Sequence, residues 1–198
     1  MTTTLIYGYD PICGWCYGAA PAIRLAAEIV PVRIVMAGLV TGQRAGPAAA
    51  MEGYVRHASE RLRAVTGRAP SEAFYDWMRG PGAVAASGPP AVAVHAVMRL
   101  APEAALPFAH ALTEAHYEEG LDTNDPGAYA PLLARHAPGV ALPDIHDEDL
   151  ADAAFAEGRA MGIDAFPTLI LDRDGAAERL PAIYDPDALA AELVARMG

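Results

Sequence analysis

Strand-like patterns occur in this chain only near its two ends. Residues 3–9 and 32–39 are short apolar segments with aromatic or β-branched side chains, and strand patterns return at 168–171 and 179–183. From residue 47 to about 161, apolar residues instead recur every three or four positions, and proline or glycine punctuates the pattern. We therefore expect an α/β protein whose strands come from both ends of the chain, with a block of helices between them.

Helices are predicted wherever the three- to four-residue periodicity continues without interruption. The first, 13–29, lies between the first two strands as a crossover, which favours a parallel pair, and Pro21 within it should bend it. A closing helix is expected at 187–197, after the turn at 172–175 and the last strand. The order is thus βαβ, a helical insertion, and ββα. The predicted helices of the insertion are 47–66, 71–79, 89–100, 103–119, 126–136 and 147–161.

The two cysteines of the chain lie in one motif, Cys13-Gly14-Trp15-Cys16, at the junction between the first strand and the first helix. A sulfur at a helix N-terminus faces unpaired backbone N–H groups and the positive end of the helix dipole, which favours thiolate over thiol. Spacing of three residues at a helix start also brings two Cα atoms within disulfide range. We interpret the pair as a reversible dithiol/disulfide couple, with Cys13 as nucleophile and Cys16, one turn further on, as the resolving cysteine.

Charge and hydropathy exclude several classes of partner. A net charge of -11 and a pI near 4.8 oppose binding to a phosphate backbone, so no nucleic acid is expected. The longest apolar stretch, 83–100, is interrupted by Ser87, Pro89 and His95, which makes it a poor membrane span. Residues 1–10 lack the pattern of a secretory signal. We expect a cytoplasmic protein, where a close pair of cysteines is more often catalytic than a permanent crosslink.

Two motifs together resemble a known family. The first is Cys13-Gly14-Trp15-Cys16 after a strand, with Pro21 in the following helix, and the second is Phe166-Pro167-Thr168 at the start of the third strand. This combination resembles the thioredoxin fold, and the large helical insertion resembles the DsbA-like thiol:disulfide oxidoreductases. The segment Asp10-Pro11-x-Cys13-x-Trp15-Cys16 is similar to their FrnE-like cytoplasmic branch. The resemblance implies a thioredoxin-like domain at 1–45 and 160–198 and a helical insertion subdomain at 46–159.

The resemblance also implies an activity and a set of contacts. It implies exchange of thiols and disulfides with protein substrates, without a cofactor, and recycling by glutathione or the thioredoxin system. Pro167 would be cis and lie against the cysteines, and the backbone near it would pair with an extended substrate. Trp15, Phe166, Pro167 and Thr168 are the implied substrate-binding residues, since aromatic side chains favour partner docking. Tyr17 either joins this rim or packs against its own helix.

The chain departs from the family pattern at the group that would accept the proton of the second cysteine. Many relatives have a buried carboxylate six residues before the nucleophile, and this chain has Tyr7 there. Asp10 and Glu28 are the nearby carboxylates that could take over this role as proton acceptor. Each is equally well explained as a solvated or capping residue. The middle pair Gly14-Trp15 also differs from the Pro-His pair of DsbA and from the Gly-Pro pair of thioredoxin. The sequence therefore leaves open whether oxidation or reduction of substrates dominates.

Other functions compete with this interpretation. A kappa-type glutathione-dependent transferase or isomerase resembles the same scaffold, but it usually has serine in place of Cys13. A redox-sensing or chaperone-like module would bind peptides without turnover. The six histidines are too scattered to complete a zinc site with the cysteines, and His110, Glu114 and Glu118 on one helix face are better explained as a solvated surface than as metal ligands. No metal is expected.

Overall fold

The computed structural model describes residues 3–197 and begins with a βαβ unit. Strand β1 (Thr3–Tyr9) leads into helix α1 (Gly14–Ala27), which continues through Pro21, and strand β2 (Val32–Met36) follows. Strand β2 ends three residues before the predicted position. Gly38 takes a left-handed φ of 83°, and the Leu39 N–H donates to the Asp10 carboxylate instead of to a neighbouring strand, so the ladder cannot continue.

The insertion contains the predicted helices. In chain order its elements are a short strand β3 (Gly46–Pro47), helices α2 (Glu52–Thr66) and α3 (Glu72–Arg79), a short strand β4 (Val84–Ala85), and helices α4 (Gly88–Leu100), α5 (Ala105–Glu119), α6 (Ala130–His136) and α7 (Glu148–Ala160). Three of the helices start later than predicted, because residues 48–51, 102–104 and 126–129 form 3₁₀ turns. Strands β3 and β4 pair antiparallel, and the sequence did not indicate them, because two residues cannot carry a strand periodicity.

The chain closes with strand β5 (Thr168–Arg173), strand β6 (Ala176–Leu180) and helix α8 (Pro186–Met197). The prediction placed β6 at 179–183, and these bounds were wrong. Asp174 and Gly175 both have positive φ and make a two-residue turn, so the strand resumes at once. The Gly175 N–H donates to Oδ1 of Asp172 at 2.8 Å, which stabilises the reversal.

The four long strands form one mixed sheet in the order β2-β1-β5-β6. Strands β1 and β2 are parallel, as the helical crossover predicts, and the other pairs are antiparallel. Helices α1 and α8 pack on each other. A single core cluster contains Leu5 and Leu169 of the sheet, Ile23 of α1, and Phe108 and Leu112 of the insertion. The division into domains at 45/46 and 159/160 stays a prediction.

Glycine permits two close approaches between elements. Gly8 on β1 faces Thr168 on β5, and a Cβ at Gly8 would lie 2.8 Å from the Thr168 Cβ. Gly158 on α7 lies against β2, where a Cβ would stand 2.3 Å from the carbonyl oxygen of Met36. Both positions therefore require the absence of a side chain. Among the helices of residues 3–197, none has the length and apolarity needed to cross a membrane.

Candidate active site

The two cysteines lie where β1 passes into α1. Cys13 is the N-cap of α1, with extended backbone, and its N–H donates to the Asp10 carbonyl at 3.1 Å. Its Sγ accepts the N–H of Cys16 at 3.3 Å, which is the cap interaction that serine or aspartate would make with an oxygen. The sequence prediction that the first sulfur faces free N–H groups at the helix start is confirmed. A negative charge on Cys13 would be stabilised by that donor and by the helix dipole.

Both cysteines are free thiols with little contact to solvent. Cys13 is 3% exposed and Cys16 is 1% exposed, so the two thiols are buried to nearly the same extent. Burial raises the pKa of the Cys16 thiol well above its ordinary value, and hydrogen bonding with Cys13 and the charge of Cys13 raise it further. Cys16 therefore keeps its proton near neutral pH.

The second sequence motif lies against the first. The Phe166–Pro167 peptide is cis, as the family resemblance implied, and the Phe166 carbonyl is 3.7 Å from the Cys13 Sγ. Thr168 is buried, and its hydroxyl donates to the Ala165 carbonyl at 2.7 Å. The Phe166 N–H has no acceptor within the described chain. Cys13 and Phe166, which are 153 positions apart in the sequence, are thus in contact.

The helical insertion holds the turn that precedes Cys13. The Tyr117 hydroxyl on α5 donates to the Ile12 carbonyl at 2.6 Å, and the Thr113 hydroxyl on the same helix donates to the Pro11 carbonyl at 3.2 Å. Thr113 also hydrogen-bonds with the Tyr9 hydroxyl at 2.6 Å. Two successive carbonyls of the turn, which have no partner in a strand or helix, are satisfied in this way. No sequence pattern indicated this support, because the contacts join distant segments.

Asp10 is fully buried, so its interpretation as a solvated residue was wrong. Its carboxylate accepts the N–H of Ile12 at 3.1 Å and that of Leu39 at 2.8 Å, and it also bonds the Ser87 hydroxyl. Burial raises the pKa of the Asp10 carboxyl, and these three donors oppose the rise. Asp10 acts as the cap of the turn and links it to the loop after β2. Glu28 lies exposed at the other end of α1.

Tyr7 occupies the place where relatives have a buried carboxylate. Its side chain has no exposure, and its hydroxyl donates to the Cys16 carbonyl at 3.4 Å. Burial and the charge of Cys16 hold the pKa of the phenol well above its usual range, so Tyr7 is neutral. The edge of its ring faces His110 on α5, with the ring centroids 6.2 Å apart. Tyr7 supplies a buried hydroxyl beside Cys16 in place of a charge.

Aromatic side chains surround the cysteines. Trp15 and Phe166, both predicted substrate contacts, are half-buried against the core that contains the sulfurs. Tyr184, in the loop between β6 and α8, has its ring centroid 5.3 Å from that of Trp15. Burial and the charges of Cys13 and Cys16 raise the pKa of Tyr184 to about 12. The sequence analysis missed Tyr184, and a lone tyrosine in a loop carries no signal that would have found it.

Tyr17 packs inside the protein instead of joining the rim. It is buried, its hydroxyl donates to Glu118 at 2.9 Å, and the Arg68 guanidinium lies 3.9 Å from its ring centroid. Arg68 also binds Glu114 and Glu118, so these carboxylates, which keep contact with solvent, form a salt-bridge network at the surface. His110 of the same predicted face is buried. Across the described residues, no three His, Cys, Asp or Glu side chains form a group that could hold a metal ion.

Solved structures resemble this chain over its full length. The cytosolic disulfide reductase DsbM from Pseudomonas aeruginosa matches with 30% identity, 98% coverage of both chains and a TM-score of 0.85. The same protein with GSH matches at 29% identity and a TM-score of 0.83 over 98% of both chains. A putative protein disulfide isomerase from Nitrosomonas europaea shares the fold at 21% identity, with a TM-score of 0.75 and coverage of 99% and 97%. No protein-family model and no curated protein sequence matches.

A thioredoxin fold with a helical insertion, carrying a Cys-x-x-Cys pair at the start of α1, defines a thiol–disulfide oxidoreductase. Identity of 30% over nearly the whole of both chains goes further than the fold. The chain belongs to the DsbA-like thiol:disulfide oxidoreductases of the thioredoxin superfamily.

Proposed function

We propose that Cys13 is the nucleophile and Cys16 the resolving cysteine of an enzyme that reduces protein disulfides in the cytoplasm. The observation that carries this proposal is the position of the Cys13 Sγ, which accepts the Cys16 N–H at 3.3 Å and lies 3.7 Å from the Phe166 carbonyl. One side of the sulfur faces the positive end of α1, and another faces the backbone before Pro167. A thiolate can form there next to a segment able to bind substrate.

In the first step the Cys13 thiolate attacks one sulfur of a substrate disulfide. A bond forms between the Cys13 Sγ and that sulfur, the substrate S–S bond breaks, and the other substrate sulfur leaves as a thiolate. The product is a mixed disulfide between enzyme and substrate. The departing thiolate takes a proton from solvent or stays ionised, according to its own acidity.

In the second step Cys16 attacks the Cys13 Sγ and releases the second substrate thiolate, which leaves a Cys13–Cys16 disulfide and two electrons on the substrate. Cys16 must first lose its proton. The mixed disulfide removes the negative charge of Cys13, which is one of the causes that raise the pKa of Cys16. Burial, the largest cause, remains, so loss of this proton is expected to control the rate of release.

Substrate binding is assigned to the segment Phe166–Thr168 and to Trp15. The free Phe166 N–H and its carbonyl beside Cys13 offer a donor and an acceptor to an extended peptide, which would pair with them as an added strand. The Thr168 hydroxyl already bonds the Ala165 carbonyl, and Arg179 donates to it at 3.1 Å, so Thr168 positions this segment. Trp15 offers an aromatic surface at the same place.

Recycling of the oxidised enzyme is assigned to a thiol of the glutathione type. A similar protein has been solved with GSH, and it is named a cytosolic disulfide reductase, which supports both the reductant and the cytoplasmic location. Reaction with two GSH molecules would reverse the chemistry at Cys13 and restore the dithiol, with oxidised glutathione as product. The potential of the couple, measured against glutathione, tests the direction. A value near that of thioredoxin, about -270 mV, supports reduction, and a value near -120 mV contradicts it.

The catalytic assignment is tested by turnover. Reduction of insulin disulfides with GSH as reductant should be abolished in Cys13→Ser, because no other sulfur lies at the N-cap of α1. Activity that persists in Cys13→Ser would overturn the proposal and favour a glutathione-dependent enzyme that does not use Cys13, whereas peptide binding without any turnover by the wild type would favour a binding module. Tyr54→Ala, an exposed position on α2, is the control for general effects of substitution.

The division of roles is tested by trapping. In Cys16→Ser the mixed disulfide cannot be resolved from within, so covalent enzyme–substrate complexes should accumulate and appear on non-reducing gels and by mass spectrometry. The bond should map to Cys13. Absence of any trapped complex, or a complex through Cys16 in Cys13→Ser at equal yield, would refute the assignment.

A further inference from the structure

The proposed nucleophile is almost closed to solvent. Cys13 is 3% exposed, although a substrate sulfur must reach it. Its Sγ is occupied on two sides, by the Cys16 N–H and by the Phe166 carbonyl. Half-buried aromatic side chains pack against the core cluster that contains Cys13, namely Trp15, Phe166 and Tyr184. A substrate therefore meets aromatic rings before it meets the sulfur.

Tyr184 makes few specific contacts of its own. It lies in the loop between β6 and α8, outside any strand or helix, and its hydroxyl has no hydrogen-bond partner among residues 3–197. The ring contact with Trp15, at 5.3 Å between centroids, is the aromatic contact that holds it. Trp15 stands between the two cysteines in the chain, so this contact places the Tyr184 ring beside the motif, and the charges of both cysteines raise the pKa of its phenol. A ring held by one such pair can swing away at small cost.

We propose that Tyr184, closed on Trp15, is a gate that selects the size of the disulfide admitted to Cys13. With the gate closed, slender disulfides of the glutathione type reach the sulfur, while a disulfide on a folded protein requires the ring to move. Tyr184 is thus a specificity-determining residue, and this inference rests on the proposed role of Cys13 as nucleophile.

The gate should lower kcat/KM for bulky substrates. The interaction free energy of an aromatic pair corresponds to a factor of about 2 to 13 in an equilibrium constant. Separation of the two rings should therefore lower kcat/KM for protein disulfides by that factor. In Tyr184→Ala the ratio of kcat/KM for insulin to kcat/KM for bis(2-hydroxyethyl) disulfide should rise by about 2- to 13-fold. Tyr54→Ala, at an exposed position on α2, should leave this ratio unchanged.

Alkylation tests the gate without turnover. In a Cys16→Ser background, the rate for a bulky maleimide relative to that for iodoacetamide should rise in Tyr184→Ala, and Cys13→Ser should abolish the labelling. Equal acceleration of both reagents, or no change, would overturn the gate and leave the role of Cys13 intact. Loss of all labelling at Cys13 would instead count against the proposed nucleophile.

Tyr184→Phe distinguishes a steric role of the ring from a chemical role of the hydroxyl. It keeps the ring, so the substrate ratio should stay at the wild-type value, and so should the dependence of kcat/KM on pH. A fall in kcat/KM for both substrates with an altered pH profile would show that the phenol acts as a proton donor, and it would overturn the gate. Circular dichroism of each variant establishes that the fold is retained.

Discussion

Replacement of His110 by leucine should make the protein resist acid. His110 lies on α5 below the cysteines, is 3% exposed, and has no hydrogen-bond partner on either ring nitrogen within the described structure. Burial, with the charges of Arg24 and Arg68, lowers the pKa of His110 to about 3. The ring faces the edge of Tyr7 and is neutral in the folded state at every pH near neutrality. Leucine has a similar volume and cannot take up a proton.

The size of the effect follows from proton linkage. The unfolded histidine titrates near 6.5, whereas the folded one titrates near 3, so the unfolded state binds more protons throughout this window. The free energy of unfolding therefore falls as the pH drops from about 6.5 toward 3. Between pH 7 and pH 5 this one group contributes a loss of about 2 kcal/mol. His116, whose pKa burial lowers to about 4, adds a similar loss that remains in the variant.

Urea unfolding at pH 7 and at pH 5 measures this directly. The loss of unfolding free energy between the two pH values should be about 2 kcal/mol smaller in His110→Leu than in the wild type. His57, whose side chain is 76% exposed, is the matched control, and His57→Leu should not change the difference, because water reaches that ring in both states. An equal loss of unfolding free energy in His110→Leu and in the wild type would refute the argument that His110 is buried in its neutral form.

Three further substitutions probe the support of the cysteine turn. Gly8→Ala places a Cβ 2.8 Å from the Thr168 Cβ and should cost about 1–3 kcal/mol of stability in urea unfolding, with slower insulin reduction. Unchanged stability would contradict the close approach. Asp10→Ala leaves the Ile12 and Leu39 N–H groups unpaired and should cost about 2–4 kcal/mol, and a neutral result would mean that water replaces the carboxylate. Tyr117→Phe should cost about 1–2 kcal/mol and increase hydrogen exchange of the turn, and unaltered exchange would dismiss the anchor.

Local patterns were enough to predict the four long strands, the helices and the two motifs. Short apolar segments with aromatic or β-branched residues identified β1 and β5, and three- to four-residue periodicity identified the helices of the insertion. The family resemblance of the Cys-x-x-Cys motif with Phe166-Pro167-Thr168 indicated which segments meet. These features depend on neighbours in sequence. The bounds of β6 failed because a left-handed Asp174-Gly175 pair made the turn shorter than the composition suggested.

The surroundings of the cysteines could not be predicted in the same way. Tyr184 meets Trp15 across the fold, and Asp10 was as compatible with an exposed cap as with the buried one observed. Tyr17 was compatible with the rim and with packing on its own helix, and Arg68, far along the chain, lies over its ring in the buried position. Each outcome depends on which residues the tertiary structure brings together, and such contacts leave no periodicity in one sequence.

Thr113 and Tyr117 of α5 bond the carbonyls of Pro11 and Ile12 in the turn before Cys13. These two bonds limit how far the protein can be shortened. A minimal redox module made by joining the two ends of the chain without the insertion would retain both sulfurs and the sheet. It would lack Thr113 and Tyr117, and the loop that presents Cys13 would lose its scaffold. Shortening this protein therefore removes part of its catalytic apparatus, and grafting the insertion helix with the motif would be the better way to transplant the activity.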